Sequence, residues 1–184
     1  MQEKKILRKK FLQLRKKKYY EINKEFFIPL LKLIKSKFKK KRLKLALYYP
    51  SNYEVNTLKI LENNKLLKLD IFLPVVGEKG QINFSPWKKN QVLRVNRFGM
   101  LEPLKSKVCV PNVMLVPTLA YDHKKYRLGY GKGFYDRYLN KYSKKFNNIL
   151  TVGVAFSFQK YHKLPVNSKD FKLDCIITEK GILK

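Results

Sequence analysis

An α/β fold with a largely parallel sheet is predicted by three features of the sequence. Short, fully apolar runs such as Leu45–Tyr49 and Val113–Leu119 have the composition of strands buried on both faces. They alternate with segments whose apolar residues recur every three or four positions, the helical period. The chain has 184 residues, 45% of them hydrophobic, with only eight Gly and eight Pro. That is enough for one domain, residues 1–184, around one sizeable core.

In chain order, the first forty residues read as helix. Leu7, Phe11 and Leu14 form one apolar stripe, and Phe26, Leu30 and Ile34 form another, each backed by Lys. The basic run Lys39–Arg42 reads as a solvated face rather than a nucleic-acid patch. Leu45–Tyr49 is a strand, ended by Pro50 and Asn52. Val55–Leu67 looks helical and Asp70–Val76 extended. From Gly77 to Pro111 the chain is irregular, with short extended pieces near Ile82 and Val92. Val113–Leu119 is the next strand, followed by a Gly-punctuated segment and a helix over Phe134–Tyr142. Ile149–Phe156 and Leu173–Thr178 are the closing strands.

Charge is the outlier. Lys and Arg number 42 against 13 Asp and Glu, a net +29; 35 of the bases are Lys and seven are Arg. Such a charge raises a polyanion partner, and with it an RNA- or ribosome-associated alternative. Lys, however, is a solvated point charge without the planar fork of Arg. It travels here with Asn, Ile, Phe and Tyr, the set that AT-rich codons encode, so compositional bias spread over the surface is the simpler reading.

Cys109 and Cys175 lie far apart in apolar runs and read as two buried thiols, with no disulfide framework or metal motif. The residues Met1–Arg15 lack the apolar stretch of a signal peptide, and no run reaches the ~18 apolar residues of a membrane span. A cytoplasmic protein without a membrane partner is expected. His123 and His162 have no paired partner in sequence and read as surface or loop residues.

The segment Arg127–Asp136, RLGYGKGFYD, carries the chemistry. Gly129, Gly131 and Gly133 let the backbone approach a ligand closely. N–H groups leading into a helix N-terminus make an anion site, and Arg127 and Lys132 add positive charge. Asp136, in the first helical turn, is a hard oxygen ligand suited to Mg²⁺ between phosphates. The GxxxxGK[ST] spacing of a P-loop is missing.

The extended segment RLGYGKGFYDRYL resembles the signature of the 5-formyltetrahydrofolate cyclo-ligase family, also called methenyltetrahydrofolate synthetases. Lys4–Arg8 (KKILR) resembles that family's N-terminal basic helix, and Tyr49–Thr57 (YPSNYEVNT) its segment with a Glu just before a Thr. Phe98–Pro103 (FGMLEP) is similar to its FGIxEP turn, and Val116–Asp122 (VPTLAYD) to its VPGLAFD strand end. Gly153–Gln159, Leu164–Pro165 and Leu173–Asp174 resemble its closing elements. The likeness runs in order along nearly the whole chain. It departs at His123–Tyr126, at Thr118 and at Tyr121, which leaves the Gly-rich loop intact.

The resemblance implies a single three-layer α/β/α domain and an ATP- and Mg²⁺-dependent enzyme. ATP would phosphorylate the formyl oxygen of 5-formyltetrahydrofolate; ring closure and loss of phosphate would give 5,10-methenyltetrahydrofolate, with ADP and phosphate released. It assigns ATP to Lys4, Lys5, Ile6, Leu7 and Arg8, and to Arg127, Leu128, Gly129, Tyr130, Gly131, Lys132, Gly133, Phe134 and Tyr135. Lys132 and Arg127 would be the catalytic residues, Lys132 stabilising charge on the transferring phosphoryl group. Folate would contact Tyr49, Glu54 and residues 130–134, and Mg²⁺ would sit on Asp136 and Asp174, the latter at the start of the last strand. Phe84, Trp87 and Phe98 are candidates for stacking on folate rings, with packing as their alternative. A monomer acting on free or polyglutamylated folate is expected, with no specific nucleic-acid partner.

Overall fold

The computed structural model describes residues 2–39, 42–63, 68–77, 80–104, 109–142 and 149–184. Helix α1 is Gln2–Lys18 and α2 is Ile28–Lys37, with a 3-10 turn at Lys24–Phe27 leading into the second. The first apolar stripe thus falls on α1 and the second runs from Phe26 in the 3-10 turn into α2, with Tyr19–Asn23 outside both helices. Strand β1 is Leu43–Ala46, β2 Leu69–Val76, β3 Ile82–Pro86, β4 Leu93–Val95 and β5 Leu101–Pro103. They are followed by β6 Val113–Pro117, β7 Ala120–Tyr121, β8 Arg127–Leu128, helix α3 Phe134–Tyr142, β9 Leu150–Val154, β10 Cys175–Thr178 and β11 Gly181–Leu183.

Seven strands form the main sheet in the order β11-β10-β9-β6-β1-β2-β3. The five central strands are parallel, and the edge strands β3 and β11 are antiparallel. Alternate residues feed two cores, as buried parallel strands require. Leu45, Leu115, Val152 and Ile177 pack with Leu30 and Ile34 of α2; Ala46, Met114, Val116 and Ile176 pack with Tyr138 and Leu139 of α3. The result is three layers, helix, sheet, helix. A third cluster seats α1 through Leu7 and Phe11 on Leu119, Ala120 and Leu128, just after β6.

Three expectations change. The region Val55–Leu67 holds a 3-10 helix at Thr57–Asn63 rather than an α-helix; residues 64–67 lie outside the described residues, as do Lys40 and Lys41 of the basic run. Leu173–Thr178 is not the last strand, because Thr178–Gly181 turns the chain back into β11. Cys109 is only half-buried, while Cys175 is buried, and both thiols are free.

Candidate active site

The chain leaves β1 toward β2 on one side and leaves β6 toward β9 on the other, so neighbouring strands β1 and β6 diverge. In open α/β sheets ligands bind at the carboxyl ends of such a pair. Here those ends carry Tyr49–Glu54 and Thr118–Asp136, two of the segments singled out in the sequence. Distance along the chain is closed by topology: Tyr130 Oη donates to Glu54 Oε1 at 2.7 Å, 76 residues away.

The Gly-rich loop is delivered by the hairpin β7–β8 and ends in α3. Gly131 and Gly133 adopt φ of +99° and +65°, a conformation that an L side chain rarely takes. Arg8 of α1 donates from Nε to the Gly129 carbonyl oxygen at 2.8 Å, and its guanidinium lies over Gly131. Arg137 braces the far side, donating to the Lys132 carbonyl at 2.9 Å and to the Gly80 carbonyl at 2.6 Å. Lys132 itself is exposed, its Nζ 5.6 Å from the Phe98 ring centre. Phe98 also meets Phe134 at 5.4 Å, edge to face. It is thus the site aromatic of the three candidates, whereas Phe84 and Trp87 are buried in the packing.

Glu54 is buried, 6% exposed, at the end of a turn in which Asn52 and Tyr53 both take left-handed φ. That is unfavourable for a bulky Tyr and typical of a functional loop. The turn brings the Ser51 N–H to Glu54 Oε2 at 2.9 Å. Burial pushes the Glu54 carboxyl above the usual carboxylate range, opposed by the charge of Arg15 and by hydrogen bonds from Tyr130 and Ser51. Burial likewise raises the Tyr130 and Tyr135 phenols, keeping both protonated as donors. Tyr49 is half-buried and packs against the core on the α2 side of the sheet.

Arg127, buried, forms a forked pair with Asp136 at 3.2 and 3.4 Å, and the Phe171 N–H adds a third bond to that carboxylate. Asp174 Oδ2 accepts from the Thr151 N–H at 2.7 Å and its hydroxyl at 2.8 Å, tying β9 to the residue before β10. Among the described residues no three His, Cys, Asp or Glu side chains gather to hold a metal by themselves. Asp136 can offer a single carboxylate, completed by phosphate oxygens and water, by loosening its pair with Arg127. Lys4, expected on phosphates, is paired with Asp170 at 2.5 Å and must exchange that partner to reach an anion. Lys5 and Ile6 face outward and Leu7 packs inward beside Leu128, while Arg8 bonds the loop backbone.

Four buried side-chain polar atoms have no hydrogen-bond partner among the described residues. Three of them, Arg15 Nε, Arg127 Nε and Tyr135 Oη, belong to this site. Leaving such a donor unpaired costs about 1–3 kcal/mol each, so their grouping marks a place prepared for acceptors. A model of the 5-formyltetrahydrofolate cyclo-ligase family matches residues 1–179. The chain belongs to that family.

A Mycoplasma genitalium 5-formyltetrahydrofolate cyclo-ligase is 32% identical, with 72% of this chain and 70% of that protein aligned. A Schizosaccharomyces pombe relative of the same family is 28% identical, the match spanning 62% of this chain and 64% of that protein. The solved structure of the Aquifex aeolicus 5,10-methenyltetrahydrofolate synthetase superposes with a TM-score of 0.74 at 33% identity, covering 98% of this chain and 92% of that one. The superposition extends the likeness from the sequence to the fold. No helix among the described residues is long and apolar enough to cross a membrane.

Arg15 and Arg137 were not singled out in the sequence. Arg15 had a signal: it continues the buried stripe Leu7–Phe11 four residues on, where a solvated base does not belong. Arg137 had none, since its acceptors are backbone carbonyls.

Proposed function

We propose that this chain uses ATP and Mg²⁺ to convert 5-formyltetrahydrofolate to 5,10-methenyltetrahydrofolate, acting as a single domain and a monomer. The observation that carries this is the direct bond between an anion loop and a buried carboxylate, Tyr130 to Glu54, at the point where β1 and β6 diverge. One side suits phosphates and the other suits the paired N–H donors of a pterin. Family membership favours this reading over an RNA- or ribosome-associated protein.

The γ-phosphoryl group moves to the formyl oxygen, turning a poor leaving group into phosphate and making the formyl carbon electrophilic. N10 attacks that carbon, loses its proton, and phosphate departs as the five-membered ring closes. Attack is intramolecular, so the protein's task is positioning and charge stabilisation. The loop N–H groups and Arg8 cradle the phosphates, and Lys132 and Arg127 oppose the charge on the transferring group. Mg²⁺ would neutralise phosphate charge, with Asp136 as the residue that would hold it; the Asp174 carboxylate is instead occupied by Thr151 at the amino end of β10. Glu54 orients the pterin.

Near-ultraviolet absorbance of methenyltetrahydrofolate tests the proposal directly. Product is expected only with ATP, and Lys132→Ala should lose it by at least 100-fold while melting within a few degrees of the parent, since Lys132 is exposed. ATP-independent product, or a fully active Lys132→Ala, would overturn it.

A further inference from the structure

We propose that Arg15 is a positioning residue of the folate site, holding the Tyr130 hydroxyl against Glu54 and so locking the Gly-rich loop to the carboxylate that meets the pterin. This rests on the reading of Glu54 as the folate contact. Arg15 Nη2 donates to Tyr130 Oη, and Tyr130 Oη donates in turn to Glu54 Oε1 at 2.7 Å. The guanidinium also lies 5.5 Å from the Tyr130 ring centre. Tyr130 keeps 38% of its surface exposed, yet its hydroxyl end is enclosed between these two partners. Seven residues earlier on the same helix face, Arg8 holds the Gly129 carbonyl. Helix α1 therefore grips two consecutive loop residues, one by backbone and one by side chain, with arginines about two turns apart.

Arg15 is a poor device for stability. Its guanidinium is 1% exposed and its Nε is unpaired among the described residues. Replacing a whole buried pair by apolar side chains is often neutral, whereas removing one partner leaves the other uncompensated; without Arg15 the Glu54 carboxyl relieves that by taking up a proton. The fork supplies orientation, and its charge acts on Glu54. The groups facing Glu54 are Arg15 from α1, Ser51 from its own turn, Tyr130 from the loop, Tyr48 from the end of β1 and Tyr135 from α3. Arg15 is the cation among them, so without it burial acts on the carboxylate unopposed by charge.

The test is steady-state kinetics on Arg15→Met, Arg15→Lys, Tyr130→Phe and Glu54→Gln, with thermal melting and a pH profile of kcat/KM for 5-formyltetrahydrofolate. Arg15→Met is expected to melt below the parent while still folding, raise the folate KM at least tenfold with a smaller change in kcat, and move the acid limb to higher pH. Arg15→Lys should return the limb toward its original place while leaving KM raised, because it restores charge without the fork. A parental folate KM and acid limb in folded Arg15→Met, with Glu54→Gln impaired, would overturn the proposal alone. Parental kinetics in Glu54→Gln would overturn the reading of Glu54 and the route through it. If Arg15→Met does not fold, Tyr130→Phe decides: an unchanged folate KM there refutes the link.

Discussion

Replacing Gly131 by Ala perturbs the loop in a way whose size can be worked out in advance. Gly131 sits at φ +99°, and an added Cβ would lie 3.2 Å from Arg8 Cζ and 3.4 Å from its Nε and Nη1. Holding Ala in that conformation costs about 1–3 kcal/mol. The crowding pushes on the same guanidinium that bonds Gly129 O at 2.8 Å, and a hydrogen bond to a charged group is worth about 1.5–3 kcal/mol. The loop takes the cheaper exit, either turning the Gly131 N–H away or releasing Arg8, so destabilisation is about 1–3 kcal/mol. For a chain of this length that lowers Tm by roughly 2–12 °C. Both exits damage the phosphate cradle, and the KM for ATP should rise at least tenfold. Gly129→Ala is the internal control: Gly129 lacks a left-handed φ, and its Cβ would rest in ordinary contact, 3.5 Å from Arg127 Nη1. Melting curves and ATP saturation on both variants are the assay. Equal ATP KM values in the two would refute the assignment of the loop's work to the Gly131 backbone.

Other consequences follow from the same geometry. Because burial raises the Glu54 carboxyl above its ordinary 4.5, the folded state holds that proton where the unfolded chain has lost it. Its contribution to stability therefore falls as pH rises from the ordinary carboxylate range through the raised value. Glu54→Gln removes the titration, so its Tm relative to the parent should climb over that window in a pH series of melts; a flat difference would contradict a raised carboxyl. At Gly153 in β9 a Cβ would stand 2.5 Å from Ile176 Cδ1 and 2.8 Å from Leu173 Cδ1. Gly153→Ala should thus lose about 1–3 kcal/mol to overpacking, read by denaturant titration. Asp136→Asn should raise the Mg²⁺ needed for half-maximal rate at least tenfold. A parental Mg²⁺ requirement would remove Asp136 from the metal.

How much of this was legible in advance differs by residue. The strands were readable because a strand buried on both faces must be apolar throughout, and α3 because its amphipathic period begins directly after the Gly-rich turn. The 3-10 helix at Thr57–Asn63 was not, since its apolar residues Leu58, Ile60 and Leu61 also satisfy a helical period. Strand β11 is three half-buried residues, too short to leave a pattern. In the site, Gly131 and Gly133 announced themselves because glycine is the residue that left-handed backbone selects. Phe84, Trp87 and Phe98 did not sort themselves: an aromatic in a loop looks the same whether it packs or faces a ligand.

The sequence by itself determined the alternation of helices and buried strands and the phosphate-type loop, because these depend on composition and spacing within a dozen residues. Its likeness along the chain pointed to the family. Only the tertiary structure decided that Glu54 and Tyr130 share a proton donor and acceptor, that Arg15 backs them from inside α1, and that Lys4 is held by Asp170. Those contacts join residues 76, 115 and 166 positions apart. They exist because the order of strands in the sheet brings the ends of β1 and β6 together, and no local pattern encodes that order.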